Sequence, residues 1–210
     1  MEGTEKRMEY YQISKNIVGC KNFLPPQALD FIYAEILNNR NKFDVPSWSN
    51  KKKEFFSSHC GGLDFWDTGE HQERIKNIVS LNDFFLHQGF FQFCIDNNLK
   101  MFSLLERETE YNIHVITYNN GGYYNWHKDS HYGTIFTFNL VLNKNNSLEG
   151  GDMLFMDEGE IIKVKNQNNF MVVFPAFVDH AITPLVSKNK KDVPFLEQRF
   201  SIQHWVRLVK

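Results

Sequence analysis

His127 and Asp129 stand two residues apart at the end of the stretch Tyr118-Asn119-Asn120-Gly121-Gly122-Tyr123-Tyr124-Asn125-Trp126-His127-Lys128-Asp129. Read as a strand, that spacing puts both side chains on one face. An imidazole nitrogen and a carboxylate oxygen projecting together are two ligands for a metal, and a second histidine would complete a two-His-one-carboxylate face with open positions. His180 is the candidate for that second imidazole. It follows the apolar run Phe170-Met171-Val172-Val173-Phe174 and Pro175, near the end of a buried strand that can return to the same mouth.

The other histidines compete less well. His131 lies four residues after His127, which is helical spacing, but Gly121, Gly122 and Gly133 argue against a helix there, so Asp129 is preferred. His114 sits on the alternating strand before Tyr118 and reads as packing. His59, His71, His87 and His204 read as ordinary core or surface residues.

Several segments around these residues resemble the iron(II)- and 2-oxoglutarate-dependent dioxygenases, in their prolyl 4-hydroxylase-like branch. Tyr118, Gly121, Tyr124, His127 and Asp129 are similar to a Y-x-x-G-x-x-Y-x-x-H-x-D pattern. Gly150-Gly151-Asp152-Met153-Leu154-Phe155 resembles that branch's Gly-Gly-acidic strand start, and Phe174-Pro175, His180 and Thr183-Pro184 its F-P…H-x-x-x-P segment. Arg199-Phe200-Ser201, followed by Trp205, resembles the closing R-x-S strand. The likeness spans about the last hundred residues, and the order and spacing of the set carry it, since H-x-D alone is weak.

The resemblance implies a metal site of His127, Asp129 and His180 holding iron(II), with 2-oxoglutarate and dioxygen as co-substrates, succinate and carbon dioxide as products, and ascorbate as a possible reductant. The far carboxylate of 2-oxoglutarate needs a fixed cation in an apolar interior. Arg199 suits it because its planar fork holds a carboxylate with two parallel bonds; Ser201, on the same face, and Tyr118 can add hydrogen bonds. Tyr124 and Trp205 are expected beside the ligands or on the substrate side. One departure from the family pattern is the charged segment Lys188 to Glu197 before Arg199, read as an inserted surface loop, which leaves Lys188, Lys190 and Lys191 as alternative anchors.

The substrate that this branch implies is a peptidyl residue such as proline. Alternatives are a nucleic acid, oxidatively demethylated, and a free amino acid or other small metabolite; a binding module that kept the barrel and lost the chemistry is the non-enzyme alternative. Repair dealkylases carry a second Arg six residues after the anchor, where this chain has Trp205. A formal net charge of -2 and an estimated pI of 6.4 give no strong field toward nucleic acid or anionic membrane.

The elements that must position these residues follow from the pattern of apolar side chains. At 210 residues the chain is expected to be one domain, with residues 1–110 as helical support and substrate-side loops and 111–210 as the catalytic barrel. Residues 1–22 offer few aliphatics and read as a short edge strand or an irregular start. Leu24-Pro25-Pro26 opens a helix to about Arg40, with Leu29, Ile32, Ile36 and Leu37 at helical spacing. Residues 41–67, with Lys51-Lys52-Lys53 among aromatics, read either as a solvated turn or as a substrate-facing lid. A second helix is expected over 70–87, and a third over 90–100 after a break at Gly89.

From Tyr111 the apolar period becomes two, giving about eight strand segments near 111–118, 123–127, 134–142, 153–156, 160–165, 170–174, 178–183 and 198–208. Turn signals separate them, at Glu149-Gly150-Gly151 among others. The fold class is therefore mainly β with N-terminal helices: a double-stranded β-helix, or cupin-like jelly roll, with helices packed on one sheet. Cys20, Cys60 and Cys94 form no metal-binding or disulfide pattern, and no apolar run approaches membrane-spanning length, so a reducing, cytoplasmic setting is expected.

Overall fold

A computed structural model describes residues 7–43, 60–65, 88–107, 109–131, 133–145, 147–189 and 193–208. The expected helix over 70–87 and most of the 41–67 segment lie outside the described residues, as do His59, His71 and His87. The strands are β1 (Glu9–Gln12), β2 (Val18–Lys21), β3 (Cys60–Phe65), β4 (Thr109–Tyr118), β5 (Tyr124–His127), β6 (Thr134–Leu142) and β7 (Leu148–Gly150). They continue with β8 (Met153–Asp157), β9 (Glu160–Val164), β10 (Phe170–Pro175), β11 (Asp179–Ile182), β12 (Leu185–Ser187) and β13 (Arg199–Leu208).

The strands form a large antiparallel sheet in the order β1-β2-β10-β6-β13-β4-β3 and a smaller one in the order β5-β11-β8-β9, while β7 and β12 pair at the side. Two sheets of this kind close into the double-stranded β-helix that the alternating pattern predicts. The inner strands of the large sheet are largely buried on both faces because both are covered. On one face Phe136, Phe138, Leu140, Phe200, Ile202 and Val206 join residues of the helices in a single core. On the other, Ile116, Tyr118, Val141, Val172 and Phe174 meet Met153 and Phe155 of the small sheet.

Helix α1 (Pro26–Asn38) begins where Pro25-Pro26 fixes the first turn, and buries Ile32, Tyr33 and Ile36. Leu37, expected on that face, is instead 38 % exposed. Asn169 bonds both backbone groups of Leu24 through its side chain, tying the start of α1 to the turn before β10. Helix α2 (Gln88–Asp96) corrects two expectations. Gly89 lies inside it rather than breaking the chain, and the helix stops at Asp96, followed by a 3-10 segment over Lys100–Glu106. The apolar positions of the two segments run together in sequence, and the positive φ of Asn98 (56°) marks the actual break.

Three further corrections concern strands. The N-terminus forms two, with β2 buried between β1 and β10 rather than on an edge. β7 and β12 fall where turn or loop was expected; three residues each are too short for periodicity to register. β3 joins the open edge of the large sheet beside β4. Burial pushes the Cys20 and Cys94 thiols up to about 12, so both are inert as nucleophiles. Among the described residues no helix is long and apolar enough to cross a membrane.

His204 lies fully buried on the helix-facing side of β13, stacked on Tyr111 at 5.7 Å. Burial, followed by the neighbouring His114, holds its pKa down at about 3 against an ordinary 6.5. The unfolded chain takes up this proton near pH 6.5 and the folded one does not, so the stability contributed is complete above pH 6.5 and is lost as pH falls toward 3. Urea unfolding at pH 7 and pH 5 should show His204→Phe removing roughly 2 kcal/mol of the difference between the two conditions.

Candidate functional site

β5 and β11 pair so that His127 stands directly opposite His180. The rings lie 4.1 Å apart between centroids, and Asp129 reaches the same point: its two carboxylate oxygens are 3.7 Å from His127 Nε2 and 3.5 Å from His180 Nε2. One ligand atom from each residue falls within 4.8 Å of the others. His180 and Asp129 are buried, and the His127 side chain is 12 % exposed, which opens the cluster on one side.

The way the cluster is held differs from the expectation in one respect. β5 ends at His127, and Asp129 lies beyond it in irregular chain. Its position comes from the Asp129 N–H, which donates to the Ala176 carbonyl at 3.0 Å, and from Thr137 Oγ1, which donates to Asp129 Oδ2 at 2.7 Å. The same-face argument from strand spacing therefore does not describe how Asp129 reaches the cluster. Thr137 was not foreseen, although a threonine at an inner position of the apolar run Thr134–Leu142 is a visible signal.

Both imidazoles are fixed as one tautomer. His127 Nδ1 donates to the Asn125 carbonyl at 2.8 Å and His180 Nδ1 donates to the Val178 carbonyl at 3.1 Å. A carbonyl only accepts, so each Nδ1 carries the proton and each Nε2 keeps its lone pair toward the cluster. Burial, then the closeness of the His180 imidazole, lowers the His127 pKa well below 6.5, which keeps that lone pair available. His180 Nε2 is buried and makes no hydrogen bond. Two imidazole nitrogens and a carboxylate oxygen, pre-set and partly unsatisfied, are a donor set that fits iron(II) and leaves positions free for reactants. Tyr124 packs edge-on against His127 at 3.7 Å and Phe174 edge-on against His180 at 4.7 Å, so neither ring can swing away.

At the base of the barrel Arg199 is fully buried, directly across from Tyr118, with its guanidinium 5.0 Å from the Tyr118 ring centre. Arg199 Nε donates to the Gly151 carbonyl at 3.1 Å, and Nη1 donates to Ser201 Oγ at 2.7 Å. A full positive charge held this way in an apolar interior attracts an anion. Lys188 is exposed in the turn after β12, and Lys190 and Lys191 lie outside the described residues. His131 is exposed, and its side chain is not part of the cluster. His114 is buried with its ring 4.0 Å from that of Trp205, the packing role expected of it. Trp205 itself is half-buried, in register with Thr137.

Two glycines of the sequence pattern are explained by the backbone. Gly121 (φ 81°) turns the chain so that its N–H and the Gly122 carbonyl bond Leu185 on both sides. Gly151 (φ 69°) leaves room for Arg199: a Cβ there would stand 3.0 Å from Arg199 Cδ.

The barrel of two antiparallel sheets thus brings two histidines and one carboxylate together as a set able to hold one metal ion. Residues 113–207 match the model of the 2OG-Fe(II) oxygenase superfamily. No curated protein matches the chain by sequence. Among solved structures, a Pseudomonas putida prolyl-4-hydroxylase is similar over 92 % of this chain and 93 % of its own, at 16 % identity and a TM-score of 0.62. A Trichoplax adhaerens prolyl hydroxylase, solved with a hypoxia inducible factor oxygen degradation domain peptide fragment, matches over 92 % and 84 % at 17 % identity and 0.61. OsALKBH1 matches over 95 % and 99 % at 12 % identity and 0.54. At these identities the likeness is one of fold.

Gly151→Ala should place a side chain in a left-handed conformation and press it on Arg199, at a cost of roughly 1–3 kcal/mol. Thermal unfolding of the purified protein measures this as a lowered midpoint.

Proposed function

We propose that this protein is an iron(II)- and 2-oxoglutarate-dependent dioxygenase that hydroxylates an unactivated C–H bond of a peptidyl residue such as proline, releasing succinate and carbon dioxide. The observation that carries the proposal is the meeting of His127 Nε2, His180 Nε2 and the Asp129 carboxylate within 4.8 Å, above a buried guanidinium. His127, Asp129 and His180 hold the metal. With 2-oxoglutarate and dioxygen, iron(II) bound there would supply an oxidant able to take hydrogen from a carbon that no side chain could activate, and ascorbate is a possible external reductant.

The chain's own residues do the positioning. Thr137 keeps one lone pair of Asp129 engaged and fixes the carboxylate's tilt. The Asn125 and Val178 carbonyls hold the imidazoles in the coordinating tautomer. Arg199, steadied by Gly151 and Ser201, receives the far carboxylate of 2-oxoglutarate, with the Tyr118 phenol beside it; Tyr124 walls the metal side and Trp205 the substrate side.

A peptide is supported by the rim. Phe177 is 57 % exposed between Ala176, which bonds Asp129, and Val178, which bonds His180; Trp126, next to His127, is 39 % exposed. The Phe177 ring, adjoining both segments that hold the candidate ligands, suits an apolar residue presented in an extended chain. The two prolyl hydroxylases of similar fold support the same class, and the acidic balance of the chain weighs against nucleic acid.

Anaerobically loaded iron(II) protein, given oxygen and 2-oxoglutarate, should form succinate faster with proline-containing peptides than with methylated oligonucleotides or free amino acids, and the peptide should gain one oxygen in mass. The reverse preference would assign one of those substrates instead. His127→Ala and Asp129→Ala should abolish turnover. Thr137→Val should weaken metal binding about tenfold, read by metal titration, while the protein stays folded.

A further inference from the structure

Beyond the candidate ligands, the last inward residues of β13 have no part in holding the metal or an anion at Arg199. Trp205 shares a cross-strand row with Asn112 of β4 and Thr137 of β6. Thr137 is the residue that holds Asp129, so this row passes beside the cluster. Arg207 stands two residues further along β13, on the same face of the strand. Its guanidinium leans back to the row, where Nη2 donates to Asn112 Oδ1 at 3.2 Å. The ladder to β6 shifts register between Val206 and Arg207, an irregularity of the kind that re-aims a side chain.

Two donors at this place lack acceptors. Trp205 Nε1 and Arg207 Nε are both buried and have no hydrogen-bond partner among the described residues. An indole N–H and a guanidinium N–H only donate, so what completes them is an acceptor. Charge narrows the choice. Asn112 is neutral, and Glu110 stands 4.0 Å from Nη2 with 61 % of its side chain in solvent, too far and too hydrated to neutralise the guanidinium. A neutral group laid over Arg207 strips water from the charge and returns little, whereas an anion pairs with it. The Arg207 side chain is 26 % exposed, which gives a ligand its approach.

We propose that Trp205 and Arg207 bind a carboxylate of the substrate chain, an Asp or Glu side chain near the residue that is oxidised, so that the protein selects acidic peptide segments. This rests on the proposed peptide substrate and states which peptides it takes. From Asn112 to Thr137 the row spans two strand spacings, about 10 Å. An extended peptide rises about 3.3 Å per residue, so the acidic side chain belongs about two or three positions from the residue at the cluster. A nucleic acid would bring many negative charges to a chain of formal net charge -2, whereas a single carboxylate meets only the charge that Arg207 offers.

The test uses short peptides with one central proline and a single Asp, Asn or Lys about two or three residues to either side. Protein loaded with manganese(II) and 2-oxoglutarate binds them without turnover, read by calorimetry. At one of these placements the Asp peptide should bind about tenfold more tightly than its Asn counterpart. Arg207→Met should erase that difference. Trp205→Phe, which keeps a ring and removes the N–H, should weaken the Asp peptide about fivefold. Arg207→Glu should move the preference to the Lys peptide, a reversal that a packing defect does not produce. Equal affinity for the three peptides at every placement, or an Asp preference that survives Arg207→Met, would overturn the proposal. So would a methylated oligonucleotide that outbinds every peptide and loses its affinity in Arg207→Met, which would assign the two donors to a phosphate. An Asp preference lost in Arg207→Met, with no succinate formed from any peptide under iron(II) and oxygen, would support the two donors as a carboxylate site and sink the proposed reaction instead.

Discussion

The antiparallel pairing of β5 with β11 sets His127 against His180, and the rest of the site depends on it. β5 is four residues long and its outward side chains are exposed, so it has little burial of its own to hold it. What fixes its register is the Gly121–Gly122 turn on Leu185 before it and the Asp129–Ala176 bond after it. A slip of one residue would turn the imidazole outward to solvent, because side chains alternate faces with period two. The small sheet is thus specified at its ends by backbone bonds more than along its length by packing.

The large sheet has the opposite character. It is covered on both faces, by aromatic residues that meet the helices on one side and by the barrel interior on the other. A rigid wall of this kind can carry a buried arginine, which in a looser interior would drag water in after it. The cost of burying Arg199 is met locally, by a carbonyl, a hydroxyl and an aromatic face, all on elements that the sheet already holds in place. The division of labour is clear: the large sheet holds charge and hydrogen-bonding groups still, and the small sheet with its rim loops presents the candidate ligands.

Sequence pattern located most of the strands after Tyr111, because alternation along five to ten residues is a strong local signal of a half- or fully buried strand. It missed β7 and β12, which are short and rich in the residues of turns, and placed a helix break at Gly89 when the chain turns at Asn98. A glycine in a helix costs only about 1 kcal/mol, which packing of Phe90 and its neighbours readily offsets. The candidate ligands were legible as a spaced set. Their means of support were not: Thr137 is an ordinary polar residue in an apolar run, and nothing local says that it faces Asp129.

The chain by itself determined the chemical identities: two imidazoles, a carboxylate, an arginine followed by a serine two residues on, and glycines where left-handed turns are needed. Those are properties of residue type and near spacing, which short-range sterics and hydrogen bonding translate directly into local structure. Only the tertiary structure decided that Asp129 is held by a bond to Ala176, that His127 stands opposite His180, and that Arg199 is fastened to the Gly151 carbonyl. Each of these depends on a partner tens of residues away in the chain, brought near by strand pairing, and long-range pairing leaves no trace in the immediate neighbourhood of the residues it joins.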